Sequence, residues 1–391
     1  MTIGPVPSPK SPVLVNRLEQ LLRRVASRRS VHHAIMAVYR GDDAFGWVGA
    51  AGRATAAGAP MHPDTPFFLA SITKLYIAAA VLKLCERRLV ALDEPIVRYL
   101  AHVELNGLHR LGGVDYTSTI TVRNLLGHAS GLPDYLEERP KGGRSLVEQL
   151  VAEGDRRWDL ADVVRIVRDE LTPHFPPQPA DAPRWRARYS DSNYALLIGI
   201  VEAVTGEPWH RALENLLLRP LALRHSWHPS GRPLAPTREP AGLWDGARPL
   251  TIPLALESSN DLYATADDAV GLLRALIRGT AFDDPRTAHH MWRAWNRLGF
   301  HPWQPRLPGW PIRYGLGMMR FQLPRFVTQF YPLPAVVGHT GSTGTWLFHC
   351  PELDLFLAGA VSQVAAAALP FRVVPETLRL VLRAVRTRGI G

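Results

Sequence analysis

Between residues 13 and 29 the apolar positions recur at helical spacing. Leu14, Val15, Leu18, Leu21, Leu22 and Val25 fall on one face with arginines between them, which predicts an amphipathic helix. Two strand-like runs follow, at 32–41 and 45–52, separated by the turn residues Gly41, Asp42 and Asp43, so a hairpin succeeds the helix. From Phe68 to Leu89 the chain is apolar on nearly every face. That is the pattern of a long helix buried in the protein, with Ser71 at its start. Helical patterns then dominate to residue 225, broken by loops at 106–119 and 131–144 and by the proline-rich 173–183. Towards the C-terminus the period changes. Residues 336–350 and 353–363 read as strands joined by a turn, and 375–388 as a closing helix.

Strands therefore stand at both ends of the chain. The predicted fold class is α+β: an antiparallel β-sheet assembled from both termini, flanked by the N- and C-terminal helices, with a mostly α-helical domain inserted between them. The expected division is 1–75 with 230–391 for the sheet-bearing domain and 76–229 for the helical one, and the active site is expected at their interface. The tryptophan-rich stretch 292–310 would either form an apolar lip over that cleft or pack into the core.

A chain of 391 residues with 46% apolar content can bury a substantial core, which excludes a disordered or fibrous protein. Cys85 and Cys350 are the only cysteines, too few for a disulfide framework and without the spacing of a zinc site. Neither a metal nor a cofactor is implied. Residues 1–22 contain no continuous apolar run of signal-peptide length, and the other apolar runs fall short of a membrane span, so the expectation is a cytoplasmic protein with no membrane partner. The net charge of +10 raises nucleic acid as a partner. The basic residues are scattered singly and in pairs, however, which fits a solvated basic surface and no nucleic-acid site.

The makeup of that charge is more informative. Of 45 basic residues only Lys10, Lys74, Lys83 and Lys141 are lysines. Arginine stays charged at any working pH, so a position that retains lysine in such a chain is a candidate for proton chemistry. Lys10 and Lys141 sit in Pro- or Gly-rich loops and look incidental.

Three constellations carry chemistry. In Ser71-Ile72-Thr73-Lys74 a spacing of three on a helix puts the hydroxyl and the amine on one face. A capping box would place Glu or Gln where Lys74 stands. Burial and the positive end of the helix would both disfavour the ammonium and lower its pKa, which suits a base acting on serine. The alternative is a serine cap with a snorkelling lysine. The second constellation, Tyr189-Ser190-Asp191-Ser192-Asn193-Tyr194, opens an apolar helix. Tyr189 would shuttle a proton beside Lys74, and Asp191 would bond Lys74 or a substrate amide. Taken by themselves these residues read first as a plain helix start capped by Asp191 or Ser192. The third is His339-Thr340-Gly341-Ser342 at a strand end. There the glycine would let a substrate lie along the strand edge, and a backbone N–H near Ser342 would pair with that of Ser71 as an oxyanion hole. A glycine-rich hairpin turn is the alternative.

In this order and at these separations, S-x-x-K, Y-x-[N/D] and H-x-G resemble the three active-site motifs of the penicillin-recognising serine hydrolases. The stretches DTPFFLASITK, LLGHASGLPDY, YSDSNYALLIGIVEAVTG, LLLRPLAL, YGLGM and GHTGSTG add to the likeness, which covers about residues 30–385. The chain is most similar to the branch with Tyr in the second motif and His in the third. That branch includes D-alanyl-D-alanine carboxypeptidases, class C β-lactamases, D-aminopeptidases and related carboxylesterases. The resemblance implies Ser71 as acylated nucleophile, Lys74 and Tyr189 as coupled base and proton shuttle, and His339 beside Tyr189 in the proton network. Asp191 departs from the Asn usual in β-lactamases, and His339 from the Lys that helps hold an antibiotic's carboxylate. Both point to a carboxylesterase acting on small esters. A D-amino-acid peptidase or amidase, a β-lactamase, and a non-catalytic binding protein on the same fold are the other readings. No G-x-S-x-G, H-E-x-x-H or G-x-G-x-x-G occurs in the chain, which removes the α/β-hydrolase, zinc-protease and dinucleotide alternatives.

Overall fold

The computed structural model describes residues 12–182, 184–299, 309, 311–324, 328 and 332–386. Helix α1, Pro12–Ala26, forms where the periodicity predicts it and buries Leu14, Leu18, Leu21, Leu22 and Val25. Strands β1, His33–Arg40, and β2, Gly46–Gly52, follow as an antiparallel hairpin. Helix α2, Thr73–Glu86, is buried along almost its whole length, as its all-round apolar sequence requires.

The remaining strands of the main sheet come from the second half of the chain: β3, Asn296–Arg297; β4, Arg313–Tyr314; β5, Met319–Phe321; β6, Val336–Gly341; β7, Thr345–Cys350; and β8, Leu355–Ala360. The order across this eight-stranded antiparallel sheet is β3-β4-β5-β6-β7-β8-β1-β2, so the N-terminal hairpin completes a sheet begun by the C-terminal strands. The sheet is apolar on both faces. Along β1, Ala34, Met36 and Val38 join the cluster holding α1 and the closing helix, whereas Ile35 and Ala37 join the cluster holding α2. This is the period-two alternation of a strand buried on both sides. The expected α+β architecture is therefore the one observed.

Two further helices matter for the site: α3, Asp191–Thr205, and α4, Ala266–Arg278. The closing helix α5, Pro370–Arg386, packs beside α1. A small sheet pairs Phe67–Phe68 with Tyr263–Ala264, and the latter with Ser226–Trp227. It delivers the chain to the start of α2. In the tryptophan-rich stretch, Trp292 and Trp295 pack partly buried against the main core; residues 300–308 and 310 of that stretch lie outside the described residues. Among the described residues no helix is long and apolar enough to cross a membrane.

Candidate active site

Ser71 does not begin a regular helix. Residues Ala70–Ile72 form a single 3₁₀ turn ahead of α2, with Leu69 at its N-cap. Ser71 thus caps nothing, and the serine-cap alternative falls. Ala70 has φ of +48°, a left-handed conformation that costs a non-glycine residue on the order of 1 kcal/mol. The turn is held from three sides. Leu69 N–H donates to Leu262 O at 2.8 Å, Thr345 Oγ1 donates to Leu69 O at 3.0 Å, and Leu262 N–H donates to Thr73 Oγ1 at 3.1 Å.

Strand β6 runs directly against this turn. A Cβ on Gly341 would stand 2.1 Å from Thr345 Oγ1, 2.7 Å from Leu69 O and 2.9 Å from Ala70 Cβ. Gly341 is therefore required by the approach of the strand to the serine turn, whatever lies along the strand's outer edge. Ser342 follows at an exposed position in the turn from β6 to β7.

Lys74 is 3% exposed, and its Nζ donates to Ser71 Oγ at 3.3 Å. It also forms an ion pair with Asp191 at the first position of α3. This overturns the expectation of a depressed lysine. Burial opposes the charge, but the Asp191 carboxylate, helped by Tyr189 and Asp261, holds the Lys74 pKa well above its ordinary value. Lys74 rests as an ammonium. The ammonium lies 5.1 Å from the centre of the Tyr189 ring and 5.3 Å from that of Tyr194, within cation–π range. The other buried lysine, Lys83, donates to Ala281 O at 3.0 Å and lies 3.6 Å from Asp283; it ties α2 to a distant loop.

Tyr189 is 2% exposed. Burial raises its pKa above the ordinary phenol value, against a lowering pull from Lys74. Its hydroxyl stands beside Ser71 and Lys74 and makes no well-aligned hydrogen bond with the protein. His339 is not bonded to it: the two ring centres are 6.2 Å apart. The imidazole instead donates from Nδ1 to Thr340 O at 2.7 Å, so Nε2 is the acceptor for Tyr314 Oη at 3.0 Å. Burial, with the Lys74 ammonium adding, brings the His339 pKa down to about 3, and the ring is neutral.

Residues without an assigned role in the sequence complete the site. The loop 128–135 clasps the segment 188–193. Ser190 Oγ and Ser192 Oγ donate to Pro133 O at 2.9 and 2.7 Å, Tyr135 N–H donates to Ser192 Oγ at 3.0 Å, and Ser130 Oγ donates to Asn193 Oδ1 at 2.6 Å. Asp134 accepts the N–H of Asp191 at 2.8 Å, and so caps α3 from a distance. Asp261 faces the Lys74–Asp191 pair. Burial pushes its pKa up to about 7, with Lys74 pulling it down and Asp191 pushing it further up. The stretches LLGHASGLPDY and YGLGM contain the clasp and Tyr314, but nothing in their spacing names a partner.

Two cavities meet at Asp261, Trp158 and Leu136. One, of about 320 Å³, reaches Lys74 and Asp191. The other, of about 110 Å³, runs past Ser342 and is walled by Phe68, Leu150, Leu243 and Leu256. Among the described residues no group of His, Cys, Asp and Glu has the arrangement of a metal site.

A half-buried serine bonded to a buried lysine at the start of a core helix, with a tyrosine and a glycine-bearing strand closing over them, is an arrangement suited to nucleophilic chemistry on an α+β scaffold. The beta-lactamase family model matches residues 18–370, and the chain belongs to that family. In sequence it is similar to esterase EstB of Burkholderia gladioli, at 33% identity over 187 residues, which cover 45% of this chain and 42% of the esterase. The chain spans about half or less of the length of these curated relatives. In structure it is similar to the D-amino acid amidase of Ochrobactrum anthropi SV3, with a TM-score of 0.71 at 23% identity over 96% of this chain and 99% of that one. It is also similar to a D-stereospecific amidohydrolase from a Streptomyces species, with a TM-score of 0.66 at 24% identity over 94% and 98% of the two chains. At these identities the structural likeness is one of fold.

Proposed function

We propose that the protein is a carboxylesterase that hydrolyses small esters through an acyl-enzyme on Ser71. In the form in which the Lys74–Tyr189 pair has first given up one proton to solvent, Ser71 Oγ attacks the ester carbonyl, its proton passes to that pair, and the backbone N–H groups of Ser71 and Ser342 hold the oxyanion. Tyr189 returns the proton to the departing alkoxide, and water then releases the acid. The observation that carries the ester reading is the groove beside Ser342. Its described lining is apolar apart from Glu137, Asp261, Trp158 and hydroxyl groups, and contains no lysine or arginine. A β-lactam or a D-alanyl peptide presents a carboxylate. Here His339 is neutral and Lys74 is already paired with Asp191. An ester needs no such cation, and its alkoxide leaves with less proton assistance than an amine.

A second reading, hydrolysis of amides that carry a free amine, is supported by Asp261 on the same groove, where a carboxylate would receive the ammonium. Measured side by side, kcat/KM for p-nitrophenyl butyrate is expected to exceed those for nitrocefin and for D-amino-acid p-nitroanilides. A higher value for either of the latter would replace the ester assignment while leaving the Ser71 chemistry in place.

A further inference from the structure

Several bonds of the 128–135 clasp reach the segment around Tyr189, but His128 meets that residue from three directions. The carbonyl of His128 accepts the N–H of Arg188 at 2.9 Å, and its Nδ1 accepts the N–H of Ser190 at 3.2 Å. The residues before and after Tyr189 are thus bonded to one and the same residue. In addition, the imidazole lies 4.3 Å from the Tyr189 ring, centre to centre. We propose that His128 is the positioning residue for Tyr189, fixing the phenol beside Ser71 and Lys74 through a neutral imidazole whose Nδ1 must remain an acceptor. The proposal rests on the reading that Tyr189 carries the proton.

The local chemistry leaves the ring one workable state. Two donors converge on Nδ1, the Ser190 N–H and the Asn193 side-chain amide at 3.1 Å, and Asn193 Oδ1 is occupied by the hydroxyl of Ser130. The ring proton therefore sits on Nε2, and the imidazole packs among aromatic rings, centre to centre 4.5 Å from Tyr314, nearly edge-on, and 5.1 Å from Tyr194. A second proton, on Nδ1, would turn both converging donors away. Burial prevents it, and the Lys74 ammonium adds to the cost.

The backbone tells the same story. His128 is fully buried with φ of +53°, and such a conformation in a non-glycine residue persists where the surroundings over-determine it. The hydrogen bonds of its ring and carbonyl run to the 188–193 segment rather than to Ser71 or Lys74, so His128 acts through Tyr189.

Two substitutions separate the acceptor from the ring. His128→Asn tolerates positive φ and places its Oδ1 where Nδ1 stands. His128→Phe keeps the aromatic volume and leaves both donors without an acceptor. With p-nitrophenyl butyrate, the Phe variant is expected to lose about 10²-fold in kcat with KM within about 3-fold, the size of effect expected from misplacing a reacting group. The Asn variant should stay within about 5-fold of the parent. If the role is exercised through Tyr189, Tyr189→Phe/His128→Phe will turn over within about 2-fold of Tyr189→Phe alone. Losses that multiply in the double variant, or an Asn variant as impaired as the Phe variant at an unchanged Tm, would overturn the proposal. His128→Gly, which accepts the backbone without strain, carries the same cycle should the Phe variant not fold. Full activity in Tyr189→Phe would overturn both this proposal and the proton role given to Tyr189, and is thereby distinguishable from failure of His128 alone.

Discussion

The two halves of the site are held by different physics. The Ser71 turn is fixed by shape: a left-handed Ala70, a glycine strand with no room for a methyl group, and bonds from the turn's backbone to Leu262 and to the Thr345 hydroxyl. The Tyr189 segment is fixed by polar bonds, spread over Ser130, Pro133, Asp134 and Tyr135 as well as His128. A steric seat tolerates no added atom. A distributed polar clasp loses one bond and keeps the others. The nucleophile is thus placed by packing without slack, and the proton carrier by redundancy except where one residue meets it from several sides.

That contrast sets a ranking of effects. Ser71→Ala stands first: kcat should fall by about 10⁴-fold or more, because the covalent route is lost. The melting temperature should barely move, since Ser71 caps no helix. A large loss of stability would mean that the hydroxyl holds the turn. Gly341→Ala comes next, because its Cβ would press on Leu69 O and Ala70 and push the serine turn aside. A fall of about 10²-fold in kcat is expected, and activity near that of the parent would show that the turn has slack. On the other side of the comparison, Ser192→Ala removes one member of the clasp and leaves the Tyr135 N–H without its acceptor. It should cost about 1 to 3 kcal/mol of stability in denaturant unfolding, while kcat stays within about 3-fold of the parent. A loss as large as that of Gly341→Ala would erase the distinction between the two regions.

Asp191→Asn tests the electrostatics between the halves. Neutral Lys74 is the form able to take a proton, and the Asp191 carboxylate raises the Lys74 pKa. The rising limb of kcat/KM against pH therefore lies on the alkaline side. Removing the carboxylate takes away a raising influence, so the limb should move to lower pH. An unmoved limb would assign it to another group.

The architecture was legible from periodicity, because a helix covering a sheet and strands buried on both faces leave local patterns. The helix at Pro12–Ala26, the hairpin at 33–52 and the strands between 336 and 360 all stand where those patterns put them. The Ser–Lys pair was legible for the same reason, lying three residues apart. What escaped is what depends on partners far apart in sequence. Lys74 was expected to be depressed by burial and the helix end, and the carboxylate that reverses the sign comes from 117 residues away. His339 was expected to support Tyr189 and instead binds Tyr314. His128 and Asp261 carry no periodic signal, since each acts through a contact that only the folded chain creates.

The most direct test of the account is to quench the protein with acid during turnover of p-nitrophenyl butyrate and map the acyl adduct by peptide mass spectrometry. The account predicts a butyryl group on the peptide that contains Ser71, absent from Ser71→Ala. An adduct on any other residue, or a burst of p-nitrophenol that persists in Ser71→Ala, would contradict it.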